Sequence, residues 1–166
     1  MASMSWLRAG TGDVTMSLGQ VVPLFGHQRA QPRLQNSEVT VQRLCSILSA
    51  AFPCSIDKDG DICVEDDDGF VFWLILDTDQ KLIHLGAFWE ISHASLERIN
   101  ELNRKYNLVQ FSMTTEHVNA DYCLLYDDEL DIRPLIAICE KFAMICKVAI
   151  RQLDRGPSDS ERTTQT

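Results

Sequence analysis

The sequence of 166 residues has little positive charge and no long apolar run. Acidic residues outnumber Lys and Arg by 24 to 15, so the formal net charge is -9 at pH 7. Because proteins that bind phosphate backbones normally present a basic face, we expect no nucleic-acid binding. No apolar run approaches the roughly 18 residues that a membrane-spanning helix needs, and the first residues lack the apolar core of a secretory signal. We therefore expect a cytoplasmic protein that binds no membrane.

The chain also lacks paired-cysteine motifs. None of its cysteines has the C-x-x-C spacing that is typical of redox pairs and zinc ribbons. Three of them lie in apolar helical patterns, where a thiol behaves as a small hydrophobe. The cysteines are Cys45, Cys54, Cys63, Cys123, Cys139 and Cys146. We expect reduced structural thiols, and redox sensing is the alternative.

Catalytic and phosphate-binding motifs are missing as well. The patterns H-E-x-x-H, G-x-S-x-G, G-x-G-x-x-G and the P-loop do not occur. Ser92, His93 and Ser95 could form a nucleophile and base pair, but helix capping explains a serine at this position. We therefore expect no enzyme activity, no catalytic residues and no cofactor.

One acidic segment, residues 57–68, resembles the calcium-binding loop of an EF-hand. Its first three oxygen ligands would be Asp57, Asp59 and Asp61. However, Ile62 occupies the position at which the loop requires glycine, and Asp68 replaces the longer glutamate at the last position. We therefore expect a hairpin turn with a solvated acidic edge and no metal site.

Three regions of the chain differ in composition. Residues 1–36 contain many turn formers and one apolar stretch at 21–25, which indicates a flexible leader or docking arm. Residues 154–166 are polar and are expected to be disordered. Residues 37–153 carry periodic apolar patterns, so we expect them to fold as a single domain.

Apolar spacing predicts three helices and six strands within the domain. The first helix spans residues 38–52 with Ser37 as its cap, and a type I′ turn at Asp59-Gly60 joins two short strands. The later elements are strands at 70–76 and 81–89, a helix capped by Ser92, a strand at 108–115, a turn at 117–120, a strand at 121–126 and a helix beginning near Pro134. The order α-β-β-β-β-α-β-β-α predicts an α+β fold with an antiparallel sheet and three helices.

Aromatic residues on the predicted strands indicate a binding surface. They are Trp73, Phe88, Trp89, Tyr122 and Tyr126. The strand at 70–76 is apolar on both faces, whereas three helices can fully cover one face of a sheet. We expect an exposed aromatic strip that binds a partner or a second copy of the chain. The alternative is that a dimer partner or the leader covers this strip. We also predict a homodimer built from residues 37–153, because association through a two-fold interface hides such a surface.

The segment 88–111 resembles the YbjN family of bacterial proteins. It reads Phe-Trp-Glu-Ile-Ser and then Leu-Glu-Arg-Ile-Asn-Glu-Leu-Asn-Arg-Lys-Tyr-Asn-Leu-Val-Gln-Phe. The family typically ends a helix with an Asn-x-x-Asn-Arg pattern and continues with a strand pair and an amphipathic helix. Here the pattern is Asn100, Asn103 and Arg104. Leu102 stands where many members have Trp, and the resemblance covers about residues 37–153.

This resemblance implies a fold similar to that of class I type III secretion chaperones. Those chaperones are small, acidic, dimeric proteins that hold partly unfolded segments of other proteins. YbjN relatives are described as candidate sensory-transduction or stress regulators, and no enzyme activity is implied. We therefore expect a non-enzymatic protein-binding module, chaperone-like or regulatory, with a protein partner of unknown identity. The alternative is a sensor domain that responds to a small ligand, a metal or redox state.

Overall fold

Three helices and eight strands make up the computed structural model, which describes residues 33–90 and 94–155. In chain order they are β1 (Arg33–Gln35), α1 (Val41–Leu48), β2 (Cys54–Ile56), β3 (Ile62–Glu65), β4 (Val71–Asp77), β5 (Leu82–Glu90), α2 (Leu96–Lys105), β6 (Gln110–Met113), β7 (His117–Leu125), β8 (Glu129–Asp131) and α3 (Ile132–Asp154). A short 3₁₀ turn, Asn36–Glu38, lies between β1 and α1.

Six antiparallel strands form the main sheet, in the order β2-β3-β4-β5-β7-β6. Strands β2 to β5 form a meander, and β7 then pairs with β5 and leaves β6 at the edge. A separate two-stranded sheet joins β1 to β8. The predicted α+β class and the order of helices and strands are confirmed, with β1 and β8 as additional short strands.

Strand β1 lies within the region that the sequence assigns to the leader. Its pairing with β8 is supported by side chains, because Glu129 accepts hydrogen bonds from Arg33 at 3.2 Å and from Gln35 at 2.8 Å. Leu34, between them, is buried in the core. The folded part therefore includes residues 33–36, while residues 1–32 of the predicted leader and 156–166 of the predicted tail lie outside the described residues.

The core lies between the helices and one face of the main sheet. Alternate residues of β3, β4, β5 and β7 are buried, as period-two alternation requires for a sheet covered on one side. Helix α3 supplies the longest apolar stripe, and its Phe142 contacts Phe72 of β4 with ring centroids 5.5 Å apart. Burial of this stripe stabilises the longest helix of the described residues on the sheet.

Two helices begin at caps different from those predicted. Thr40, not Ser37, caps α1, because the Thr40 hydroxyl oxygen accepts a hydrogen bond from the Arg43 N–H at 3.2 Å. Val39, which lies between the two candidate caps, is extended and buried, so the helix begins only after it. Ser95 caps α2 in the same way, accepting from the Arg98 N–H. The predicted cap, residue 92, lies outside the described residues, as does His93.

The turn joining β2 and β3 is not the predicted type I′ turn. That turn requires positive φ at both central residues, and here Gly60 has φ +89° while Asp59 does not have positive φ. The Asp57 carboxylate instead holds the turn, since it accepts from the N–H groups of Asp59 at 2.9 Å and Asp61 at 3.0 Å. This carboxylate therefore has a structural role in an Asx-type turn.

The predicted turn at 117–120 is also wrong, because these residues belong to β7. The turn lies earlier, where the Thr114 hydroxyl oxygen accepts from the N–H groups of Glu116 at 3.3 Å and His117 at 3.1 Å. The strand therefore begins at His117 and reaches nine residues in length.

Helix α2 is fastened to its neighbours by two polar side chains. Asn103, part of the Asn-x-x-Asn-Arg pattern, donates to the Phe111 carbonyl at 2.8 Å and accepts from the Phe111 N–H at 2.6 Å. Arg98 donates to the backbone carbonyls of Leu153 at 2.9 Å and Arg155 at 2.6 Å, at the end of α3. Asn103 thus satisfies the outer backbone groups of the edge strand β6, which would otherwise be open to pairing.

Candidate functional site

The face of the main sheet opposite the core, here called the open face, carries side chains that are exposed or half-buried. On β4, β5 and β7 it includes Trp73, Ile75, His84, Gly86, Phe88, His117, Asn119, Asp121, Cys123 and Leu125. Strand register places Trp73 opposite Gly86 and Gly86 opposite Asp121, so the three form one row across β4, β5 and β7. The open face is therefore built from residues that are distant in sequence.

An aromatic pair is the main apolar feature of the open face. The rings of Trp73 and Phe88 are stacked, with centroids 5.1 Å apart and planes 8° from parallel. Phe88 is 56% exposed although it is a large apolar side chain. His117 contacts the same Phe88 ring edge-on, with centroids 5.8 Å apart. These contacts hold the Phe88 ring in a defined orientation that leaves more than half of it accessible.

The aromatic pair lines an open groove with a volume of about 560 Å³, here called the open-face groove. Gly86 lies on its floor, and a Cβ added there would lie 3.7 Å from Cε1 of the His84 ring. Alanine therefore fits at this position without a clash. Because glycine weakens a strand interior, its presence is typical of places where another group approaches the backbone closely. The groove floor between Trp73 and Asp121 is thus free of a side chain.

Carboxylates border the open-face groove on two sides. Asp57, Asp59 and Asp61 line it from the β2–β3 turn, and Asp121 lines it from β7, whereas Lys58 is its one cationic lining residue. Burial raises the pKa of Asp61, and the neighbouring charges of Asp57 and Asp59 raise it further. The groove therefore has an electrostatically negative border with incomplete charge compensation.

His84 and Asp121 form an ion pair when the histidine is protonated, with 2.9 Å between Nε2 and Oδ1. The sequence alone does not reveal this pair, because its members are 37 positions apart in the chain and meet only when β5 pairs with β7, where Asp121 lies diagonally across from His84. Cys123 is the cross-strand neighbour of His84 on the same face. Among the described residues no hydrogen bond joins this thiol to the imidazole, so the geometry does not show an activated nucleophile.

The five aromatic residues predicted to form one surface are divided between two faces. Trp73 and Phe88 lie on the open face, whereas Trp89 and Tyr122 pack against the core and Tyr126 is only 6% exposed. Trp89 is directed inward because neighbouring strand residues point to opposite faces. Its ring contacts Phe111 edge-on with centroids 6.4 Å apart. The predicted strip is therefore reduced to the Trp73–Phe88 pair.

The thiols are distributed over separate environments. Cys45 of α1 and Cys54 of β2 are in contact, with 3.7 Å between their sulfur atoms. Burial raises the pKa of Cys139 and of Cys146 to about 12, which keeps these thiols protonated in the core. Within residues 33–90 and 94–155, no three His, Cys, Asp or Glu side chains come together as a metal site would require. Asp57 is instead engaged in its turn.

Two solved structures share this fold at low sequence identity. One is YbjN from E. coli, described as a candidate transcription regulator, with a TM-score of 0.51, 11% identity and coverage of 66% of this chain and 85% of that chain. The other is from the ExsC–ExsE complex, with a TM-score of 0.51, 16% identity and coverage of 72% and 94%. No family model matches the chain, and no curated protein matches its sequence. The resemblance to YbjN is therefore confirmed for the fold, and family membership is not shown.

The helices of the described residues also bear on the membrane prediction. None of those within 33–90 and 94–155 combines the length and the apolar character that crossing a bilayer requires.

Proposed function

We propose that this protein is a non-enzymatic protein-binding module, chaperone-like or regulatory, which holds a segment of a partner protein on the open face. The observation that carries the proposal is the stacked Trp73–Phe88 pair, which lines a groove while Phe88 remains 56% exposed. Aromatic side chains fixed in a groove are typical of the residues that dominate binding energy at protein interfaces.

Phe88 leaves apolar surface in water, which a bound partner would cover. Complete burial of a phenylalanine side chain is worth about 1.5–3 kcal/mol relative to exposure, so a partner that covers this ring gains part of that energy. The stacking on Trp73 lowers the entropy cost, because the ring is already ordered before the partner arrives. A protein segment laid along the groove would contact both rings and the glycine floor.

The fold comparison supports the same class of function. One neighbour was solved as a complex of two proteins, and the other is described as a candidate regulator. Because function resides in sites and not in folds, this likeness supports the proposal without carrying it. The open-face groove remains the basis of the proposal.

The test is capture of partner proteins from native lysate by the tagged full chain and by two variants, followed by mass spectrometry. Phe88→Ser removes the exposed ring from the groove, and Leu96→Ser is the matched control because Leu96 is a 69% exposed apolar side chain on α2, outside the open face. We expect the same proteins to bind the wild type and Leu96→Ser and to be lost with Phe88→Ser.

Capture of the same proteins by all three chains would contradict the proposal, since the open face would then have no part in binding. Circular dichroism of each variant shows whether a loss reflects unfolding. Turnover of a substrate that His84→Ala abolishes would show that the protein is an enzyme, because His84 and Asp121 are the polar pair beside the groove.

A further inference from the structure

We infer that the segment bound in the open-face groove carries an arginine or lysine side chain next to an apolar one. This inference rests on the proposed function and specifies the chemistry of its partner. It follows from the combination of the aromatic pair with the carboxylates that border the same groove. A purely apolar segment would cover the rings and leave the side chains of Asp59 and Asp61 without a cation.

The charges around the groove favour a cation. Four aspartates line it against the single cation Lys58. The Asp57 carboxylate is partly occupied by N–H groups of its own turn, but among the described residues no hydrogen bond or ion pair joins the side chains of Asp59 and Asp61 to a cation. Like charges held close together are stabilised by a nearby opposite charge. Burial raises the pKa of Asp61, and repulsion from the neighbouring charges of Asp57 and Asp59 raises it further.

The aromatic rings and the carboxylates of the groove lie close enough together to contact two neighbouring side chains of one bound segment. Gly86 separates Trp73 from Asp121 in the same row of the sheet, with a single residue position between them on β5. Neighbouring strands lie about 4.8 Å apart, so the row from Trp73 to Asp121 spans about 10 Å. A guanidinium group suits such a place, because it pairs with carboxylates and also stacks on aromatic rings.

A second copy of this chain is a poorer occupant of the same groove. Two open faces placed together by a two-fold axis would bring two sets of carboxylates into proximity, and like charges across an interface cost energy. The same border repels phosphate groups, which disfavours a nucleic acid. A cationic apolar protein segment therefore fits the observed charges best.

The test uses isothermal titration of the full chain with three synthetic twelve-residue peptides. In the first, arginine alternates with leucine and phenylalanine; in the second, glutamate replaces every arginine; in the third, serine replaces every apolar residue. We expect the first peptide to bind at least tenfold more tightly than either of the others at low salt. Equal affinity of the arginine and glutamate peptides, or no binding of any peptide, would overturn the inference.

Two variants locate the charge effect. Asp59→Asn together with Asp61→Asn removes two charges from the groove and leaves the Asp57 turn contacts intact. The matched control is Asp67→Asn with Asp79→Asn, which makes the same change in net charge at exposed positions outside the groove. We expect about a fivefold loss of affinity for the arginine peptide in the first pair and less than a twofold loss in the control. Equal losses would show only a general charge effect and would refute the site.

Gly86→Ala tests the floor of the groove without endangering the fold. The added methyl group fits beside His84, and alanine in a strand interior is favoured over glycine. We expect the variant to bind the arginine peptide more weakly while it is at least as stable as the wild type. A folding defect cannot produce this combination. Unchanged affinity would place the peptide elsewhere.

A photo-crosslinker at position 88 identifies the occupant directly. The full chain with Phe88→p-benzoyl-phenylalanine is expected to crosslink to the added arginine peptide. Crosslinks to a second copy of the chain, or to its own residues 1–32, would overturn the inference. If the arginine peptide fails while Phe88→Ser still loses proteins captured from lysate, the proposed function stands and only the cationic specificity is refuted.

Discussion

Replacing Lys147 with methionine is expected to lower the free energy of unfolding by about 2 kcal/mol. Lys147 joins α3 to the turn between β3 and β4, with its ammonium 2.5 Å from Asp66 Oδ2 and 2.6 Å from Asp68 Oδ2. The Asp66 side chain is only 10% exposed, whereas that of Asp68 is 69% exposed. A hydrogen bond to a charged, mostly buried group contributes about 1.5–3 kcal/mol, and an exposed ion pair contributes about 0–1 kcal/mol.

The pH dependence of this effect follows from the pKa shifts of the pair. Burial raises the pKa of Asp66, but hydrogen bonds from Lys147 and from the N–H groups of Phe70 and Asp68 outweigh it and hold the pKa below its ordinary value of 3.8. A carboxyl with a lowered pKa contributes stability above its unfolded pKa, and the contribution is lost as pH falls through the folded pKa. The hydrogen bonds to Asp66 and Asp68 raise the pKa of Lys147 above 10.5, so its contribution is lost as pH rises through that higher value.

The assay is urea denaturation of wild type and Lys147→Met between pH 2 and pH 11. We expect a constant difference from about pH 5 to pH 9 that becomes smaller at both extremes. Lys141→Met is the matched control, because Lys141 is an exposed lysine on the same helix, and it should change stability by less than about 0.5 kcal/mol. A difference for Lys147→Met that does not vary with pH would refute the ion pair and assign the effect to packing of the side-chain stem.

Three further predictions concern the edge strand, the thiols and the oligomeric state. Asn103→Ala should lower the free energy of unfolding by about 2 kcal/mol, because it leaves the N–H and the carbonyl of Phe111 in β6 without their side-chain partners. Thermal unfolding measures this loss, with Asn100→Ala as the control, and an equal loss in the two variants would contradict the structure. A thiol reagent at pH 8 should modify the exposed Cys123 in the native chain and reach Cys139 and Cys146 only after unfolding, since their pKa is about 12. The homodimer stays a prediction: sedimentation of the full chain at micromolar concentration should show it, and a monomer would refute it.

Local sequence patterns account for the class of the fold. Apolar spacing in residues 135–153 predicts the stripe that α3 buries, and the acidic Gly-containing turn at 57–61 was expected between two short strands. The helix and the hairpin themselves depend on spacing and turn chemistry among residues that are near in sequence. The antiparallel α+β order could therefore be predicted before any tertiary contact was known.

Details of the element ends were less predictable from the same patterns. Ser37 and Thr40 are both suitable caps, and the sequence does not state which begins the helix. The choice of Thr40 depends on Val39, which is buried in the core and extended. A tertiary contact thus decides between two local options of similar energy.

In the candidate site, too, local pattern leaves options that tertiary contacts decide. Alternation along β5 places Phe88 and Trp89 on opposite sides of the sheet. Ile83, Leu85 and Ala87 share the side of Trp89, whereas His84 and Gly86 share the side of Phe88. Packing of the helices directs Trp89 inward and leaves Phe88 in the groove. Strand register then places Gly86 between Trp73 and Asp121, and the Asp121 side chain reaches diagonally to His84, whose directly opposite residue is Cys123. Local apolar patterns thus predict most of the helices and strands and the alternation within each strand. The pairing of β1 with β8 and the neighbours on the open face depend on contacts between segments far apart in the chain, so they follow only from the folded arrangement.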